Sequence, residues 1–199
     1  MSAAPTLQAR RVALRALVVE DFPAWAEVRQ LNDEWLAPWE PRPVVGRPDV
    51  TTDQKAFAAR CGARAREAQL GTGYGFGIFL VDELIGEVNL SSIRRGALQS
   101  GDVGYWIDRD HAGQGYMPES VVTVLAFAFE DLALHRIEID IIPRNQRSRR
   151  VVEKLGLRME GLAERLVEIN GTWEDHLRFA ITLEEWAHRG PGMRKDWLS

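Results

Sequence analysis

Between residues 102 and 132 the spacing of apolar positions changes from that of a strand to that of a helix. Residues 102–107 (DVGYWI) end in Tyr105, Trp106 and Ile107, the aromatic and β-branched types that strands prefer. Val121, Leu125, Ala128 and Leu132 then recur at three- and four-residue intervals and give a helix one buried face. The remaining pattern sorts in the same way. Arg11–Val18 alternates loosely and predicts a first strand. Asp21 as a cap, Pro23 in the first turn, and Trp25, Val28 and Leu31 predict a helix. Thr51 with Gln54 has the form of a capping box opening a second helix to about Gln69. Gly71–Gly77 breaks that period, and Ile78–Val81 and Leu84–Leu90 around Asp82–Glu83 predict a hairpin. After a polar loop, Arg94–Gly101, comes the strand at 102–107. In Arg136–Ile142, Ile137, Ile139 and Ile141 face one way, and Glu138 and Asp140 the other. Pro143 ends that strand, and Asn145 or Ser148 can cap a helix closing at Gly156. Arg165–Ile169, Asn170–Gly171 and Trp173–Ile181 predict a last hairpin.

The order is strand, two helices, three strands, helix, strand, helix, two strands. That is an α+β chain of about seven strands and four helices. Residues 1–10 are expected to be a flexible start, 11–190 a single domain and 191–199 a tail. Trp35–Pro48 (WLAPWEPRPVVGRP) stands apart, because four prolines keep it extended or turned and forbid a regular helix.

Composition narrows the class. With 199 residues, 45% apolar and 27% charged, the chain suits one soluble globular domain. The single cysteine, Cys61, excludes an internal disulfide framework and favours a reducing compartment. No apolar run reads as a signal peptide or membrane span, so a cytoplasmic location and no membrane partner are expected. A net charge of −4 argues against a broad nucleic-acid surface. No Cys/His set has metal-ligand spacing, and no metal is expected.

The chemistry starts at the turn between strand and helix. Gly113 and Gly115 permit a tight turn with bare backbone, Pro118 suits a first helical turn, and Glu119 lies near the positive end of the helix dipole. Free amides at a helix start fronted by glycines cradle phosphate oxygens. A dinucleotide fingerprint fails for want of a third glycine, and a P-loop fails for want of its lysine.

The segment 104–119 (GYWIDRDHAGQGYMPE) resembles the acetyl-coenzyme A signature Q/R-x-x-G-x-G/A of the GNAT acetyltransferases, with Asp110 standing at the Q/R position. WLAPWEP, PRNQRSRRVVEKLGLRMEG and INGTWEDH narrow the resemblance to the RimJ/RimL branch, the ribosomal-protein N-terminal acetyltransferases, over roughly residues 10–185. It implies a three-layer α/β/α fold whose mixed, mostly antiparallel sheet splays between the fourth and fifth strands. It further implies that Gly113, Gln114, Gly115, Tyr116 and Met117 hold the pyrophosphate of acetyl-coenzyme A, and that Trp106 and Ile107 line the splay. Asn145 and Ser148 match the family's N-x-x-S: Asn145 would bond the pantetheine arm, and Ser148 would orient or protonate the departing thiolate. Helix capping is an equally good use of either residue. Arg147, Arg149 and Arg150 can meet nucleotide phosphates or form a solvated face.

Glu138 and Asp140 are the favoured candidates for taking a proton from the amine, with Glu87 and Glu168 as others. Each carboxylate taken singly is also an ordinary salt-bridge partner. His111, His135 and His176 read as turn, helix-end and hairpin residues. Trp35, Trp39 and Trp173 are expected to wall the acceptor slot, the alternative being ordinary packing. The implied activity is acetyl transfer from acetyl-coenzyme A to a protein N-terminus, with a ribosomal protein as a candidate acceptor, by direct attack in a ternary complex. Cys61, in the second helix, disfavours an acyl-enzyme. A small amine as acceptor, or a regulatory domain that binds acyl-coenzyme A without turnover, are the alternatives. A monomer or homodimer is expected.

Overall fold

A computed structural model of the chain describes residues 4–41, 46 and 48–199. Its frame is one sheet of eight strands in the order β1-β2-β3-β4-β5-β6-β8-β7. The strands are β1 (Leu7–Gln8), β2 (Val12–Arg15), β3 (Tyr74–Leu80), β4 (Glu83–Arg94), β5 (Ser100–Ile107), β6 (Arg136–Ile141), β7 (Arg158–Ile169) and β8 (Thr172–Thr182). The helices are α1 (Phe22–Leu31), α2 (Asp33–Leu36), α3 (Gln54–Leu70), α4 (Tyr116–Ala126, continued by a π-helical turn, Phe127–Asp131), α5 (Gln146–Lys154) and α6 (Leu183–Leu198). Every strand pair is antiparallel except β5 and β6, which run parallel.

Alternation along the strands splits the apolar residues between two layers. Phe76, Ile78, Val88 and Ile139 join Val121, Leu125, Val152 and Trp186 of α4–α6 in the larger core. Phe79 and Leu84 meet Trp25 of α1 and Phe57 of α3 in a smaller one on the opposite face. The three-layer expectation therefore holds, with one strand and two helices more than the pattern gave.

The additions lie at the ends. Residues 7–8, within the expected flexible start, pair with β2. The expected tail, 191–199, is the second half of α6, with Pro191 inside the helix and Trp197 packed on the main core. Gly190, Pro191 and Gly192 oppose a helix locally, and packing of Met193 and Trp197 overrides them. Two starts also move. Asp53, not Thr51, caps α3, its carboxylate accepting from the amides of Lys55 and Ala56. Trp35–Trp39 is not extended: Asp33–Leu36 makes a helical turn and Ala37–Trp39 a 3-10 turn. Residues 42–45 and 47 of the proline segment lie outside the described residues. The last hairpin turns as its Asn-Gly predicts, with φ of 51° at Asn170 and 81° at Gly171.

One polar contact fixes how α4 meets the sheet. Glu119, fully buried, accepts from the Arg11 amide at 2.5 Å, Arg11 Nε at 2.7 Å and the Val12 amide at 3.3 Å. Arg11 also donates to the Gln114 carbonyl at 3.1 Å and lies 4.4 Å over the Tyr116 ring. The start of α4 is thus bolted to β2. Removing one partner of a buried ion pair leaves an uncompensated charge. Arg11→Met should lower stability by about 3 kcal/mol, the low end of that effect because Arg11 is partly exposed. Exposed Arg10→Met should change it by less than about 0.5 kcal/mol. Urea unfolding of both variants checks this, and equal losses would contradict the bolt.

Candidate active site

β5 and β6 pair only over Ser100–Asp102 and Arg136–Glu138. Beyond those residues they part, and a cavity of about 770 Å³ fills the opening. Val103–Ile107 of β5 form one wall and Ile139–Ile142 of β6 and its end the other. Gly113, Gly115, Met117 and Pro118 also line it, as do Asn145, Ser148 and Val151 and, from other elements, Trp35, Trp39 and His176.

The glycine end has the features of a phosphate cradle. Gly113 and Gly115 have φ of 82° and 90°, a region that side chains rarely tolerate. A Cβ on Gly115 would also sit 3.1 Å from Arg11 and 3.4 Å from Trp197. No side chain caps α4, so its first amides are open to a ligand. Arg150 and Lys154, one turn apart on α5, and Arg109 bring positive charge to the cavity of a chain that is acidic overall. Gly113, Gly115 and Met117 line the cavity, while the side chains of Gln114 and Tyr116 turn to Asp110 and Arg11. A backbone cradle asks nothing more of those two residues.

Asn32, buried at the end of α1, holds the approach to this turn. Its Nδ2 donates to Asp108 at 2.6 Å, and its Oδ1 accepts from the Arg109 amide at 2.8 Å. His111 lies 2.6 Å from the other Asp108 oxygen. Burial works to raise the Asp108 carboxyl, but the hydrogen bonds from Asn32 and His111 outweigh it and hold it below the usual range.

At the middle of the cavity the N-x-x-S residues divide their work. Asn145 is the cap of α5, its Oδ1 accepting from the Ser148 amide at 3.1 Å. The Ser148 hydroxyl instead donates to the Tyr105 hydroxyl at 3.1 Å, and Tyr105 donates to the Ser148 carbonyl at 3.1 Å. Burial pushes the Tyr105 phenol far above its ordinary value, so it stays neutral. A strand tyrosine 43 residues away is invisible as a partner in sequence.

The family scan matches residues 11–158 to the acetyltransferase (GNAT) domain. The chain belongs to the GNAT acetyltransferase family. It is 31% identical over 173 residues to the [ribosomal protein uS5]-alanine N-acetyltransferase of Escherichia coli, covering 85% of this chain and 87% of that protein. It is 52% identical over 110 residues to the probable N-acetyltransferase YjcK of Bacillus subtilis, 54% of this chain and only 61% of that relative's length. Among solved structures, Mycobacterium smegmatis RimJ in complex with CoA-disulfide superposes with a TM-score of 0.86 at 31% identity, covering 98% of this chain and 94% of that one. These relatives place the chain in the RimJ/RimL branch of the GNAT family.

In this GNAT chain, the splay, cradle and N-x-x-S residues converge on one cavity, and the carboxylates do not. Asp140 lines it but is clamped by Arg178, with both oxygens at 3.0 Å. Glu138 does not line it and bonds Arg136 at 2.6 Å. Glu87 is buried under Trp25, Trp106 and Arg60, and Glu168 is exposed on β7 outside the cavity. Trp173, 60% exposed near the tip of the β7–β8 hairpin, is likewise outside, whereas Trp35 and Trp39 line the slot. His176, which the pattern offered only as a hairpin residue, is buried and lines the cavity. Cys61 faces a separate small cavity beside α3. Among the described residues no three His, Cys, Asp or Glu gather as a metal-ligand set.

The hydroxyl pair gives a test of this geometry. A neutral hydrogen bond contributes about 1 kcal/mol. Ser148→Ala and Tyr105→Phe should each destabilise by about 1–2 kcal/mol, and a double-mutant cycle should show about 0.5–1 kcal/mol of coupling. Chemical denaturation measures it, and additive losses would mean that the hydroxyls do not bond.

Proposed function

We propose that this N-acetyltransferase moves the acetyl group of acetyl-coenzyme A onto the α-amine of a protein N-terminus, with a ribosomal protein as acceptor. The cradle at Gly113–Met117 and the basic residues Arg150 and Lys154 would hold the phosphates, and the β5–β6 opening would take the pantetheine arm. When bound, acetyl-coenzyme A supplies the activated acetyl group. Ser148, which lines the cavity, would turn its hydroxyl from Tyr105 to steady or protonate the departing sulfur. Direct attack is favoured because Cys61 lies outside the cavity, its thiol pushed up by burial and so poorly nucleophilic.

The observation that carries the acceptor reading is the slot beside His176. Trp39 is covered by Arg144, 5.0 Å from its ring and ion-paired in turn to Glu174 of β8. Trp35 donates to the Ile107 carbonyl at 3.1 Å under the Arg147 guanidinium. Asn170 at the hairpin tip reaches across to the Ala37 carbonyl at 2.5 Å. These contacts support reading Trp35 and Trp39 as walls of an entrance for a chain end. The relatives named for ribosomal proteins support the same acceptor class. Amine chemistry agrees, since an α-amine near pKa 8 is partly neutral at working pH and a lysine amine near 10.4 is not.

Two measurements test the two halves. Coenzyme A at about 100 times its dissociation constant should stabilise the protein by about 2.7 kcal/mol, and Gly115→Val should abolish that thermal shift. An undiminished shift in the variant would remove the cradle. For the acceptor, peptides beginning with small residues should be acetylated only at the α-amine, and Trp39→Ala should raise peptide KM with coenzyme A affinity unchanged. Mass spectrometry of the products decides. Preference for internal lysines, or for free small amines over every peptide, would transfer the assignment to a small-amine acceptor.

A further inference from the structure

The carboxylates that line the cavity, Glu40 and Asp140, and Glu174 beside it are each already engaged. Asp140 is clamped by Arg178, Glu174 is paired with Arg144, and Glu40 with Arg29. A carboxylate already bonded to a guanidinium must share or break that pair to meet an acceptor ammonium. His176 differs. It is 5% exposed, and its Nδ1 lies 3.0 Å from the Glu174 carbonyl. A carbonyl oxygen only accepts, so Nδ1 must carry the proton in that bond. The neutral ring therefore keeps its lone pair on Nε2. That nitrogen has no hydrogen-bond partner among the described residues, yet is not one of the enclosed orphan atoms. The opening left to it is the cavity that His176 lines.

Register puts His176 at the right place. Ile141 of β6 pairs with Leu177 of β8, and Asp140 with Arg178. His176 thus stands one residue past the last β6–β8 pair, where Ile142 closes the splayed wall, and on the sheet face of Arg178. We propose that His176 is the catalytic base, taking the proton from the acceptor ammonium through Nε2, directly or across one water. The nitrogen then forms its bond to the acetyl carbon as the carbon–sulfur bond breaks. Its second proton is matched by the proton gained at the thiol sulfur, and His176 returns the first to solvent. The charged groups nearest His176 along β8 are Glu174 and Arg178, paired with Arg144 and Asp140, and Glu40 and Arg147 of α5 line the same cavity. The inference rests on the reading of the chain as a ternary-complex N-acetyltransferase and not on which amine it accepts.

The test has an arm that needs no turnover. Long-range ¹H–¹⁵N spectra of the wild-type protein, with His176→Gln identifying the signal, should show the neutral ring protonated at Nδ1. A neutral ring protonated at Nε2 would overturn the proposal. The kinetic arm uses whichever acceptor, peptide or small amine, the wild type turns over fastest, so that failure of the N-terminal reading stays separate. His176→Gln should lower kcat/KM for the acceptor by about 100-fold, within the usual worth of a general base, and leave acetyl-coenzyme A affinity within twofold. The pH profiles should also differ: the His176→Gln kcat/KM should rise with unit slope up to the pKa of the amine, and the wild type should be flatter over the same range. His176→Gln within threefold of wild type, or a 100-fold loss confined to Asp140→Asn, would overturn it.

Discussion

The buried Glu119 carboxylate and the two amides and guanidinium that satisfy it set the geometry on which the rest depends. An unpaired carboxylate could not stay at that depth. Because Arg11 answers it from the residue just before β2, the first turn of α4 has one position relative to the sheet. The same guanidinium holds the Gln114 carbonyl, so the glycine turn is fixed together with the helix it opens. The cradle is therefore organised by a residue more than a hundred positions upstream. A loop that presents bare amides gains from that rigidity, since a ligand need not order it on binding.

The second constraint is where strand pairing stops. β5 and β6 share only three register pairs before they diverge, the one parallel contact in an otherwise antiparallel sheet. The divergence creates the cavity, leaves strand backbone facing it, and brings α5 close enough for Tyr105 to meet Ser148. On the far side, β8 continues past the end of β6 and supplies His176 and Glu174. One gap in the sheet is thus lined by the Gly113–Met117 turn, the Tyr105–Ser148 hydroxyl pair and the His176 imidazole.

Charge follows the same division. The front face of β5–β8 is laced by ion pairs: Arg136 with Glu138 and Glu160, Arg158 with Glu160 and Glu185, and Arg178 with Asp140. Pairs that keep part of their side chains in water contribute modestly to stability individually. Their consequence for chemistry is that they occupy the carboxylates. Like charge also gathers there, and burial with Glu138 and Asp140 nearby holds the Asp102 carboxyl above its usual range despite Arg94 and Ser92.

The sequence by itself determined most of the elements and the glycine turn. Periods of two and 3.6, the Asn170–Gly171 turn and the glycines at 113 and 115 are local features, written in adjacent residues. So are the N-x-x-S residues and the family they indicate. Only the tertiary structure decided which side chains do more than hold the fold. Glu138, Asp140 and Glu87 have the composition of a base, but guanidiniums claim them, Arg136 from the same strand, Arg178 from β8 and Arg60 from α3. Trp173 has the composition of a pocket wall, but its register near the hairpin tip puts it outside. Arg11, Asn32, Tyr105 and His176 carry no local signal, because each acts through a partner or a cavity distant in the chain. Helix α6 likewise forms through residues 190–192 because its apolar side chains find a core that only the folded sheet provides. Local sequence encodes backbone preference, and long-range packing assigns each polar group its partner.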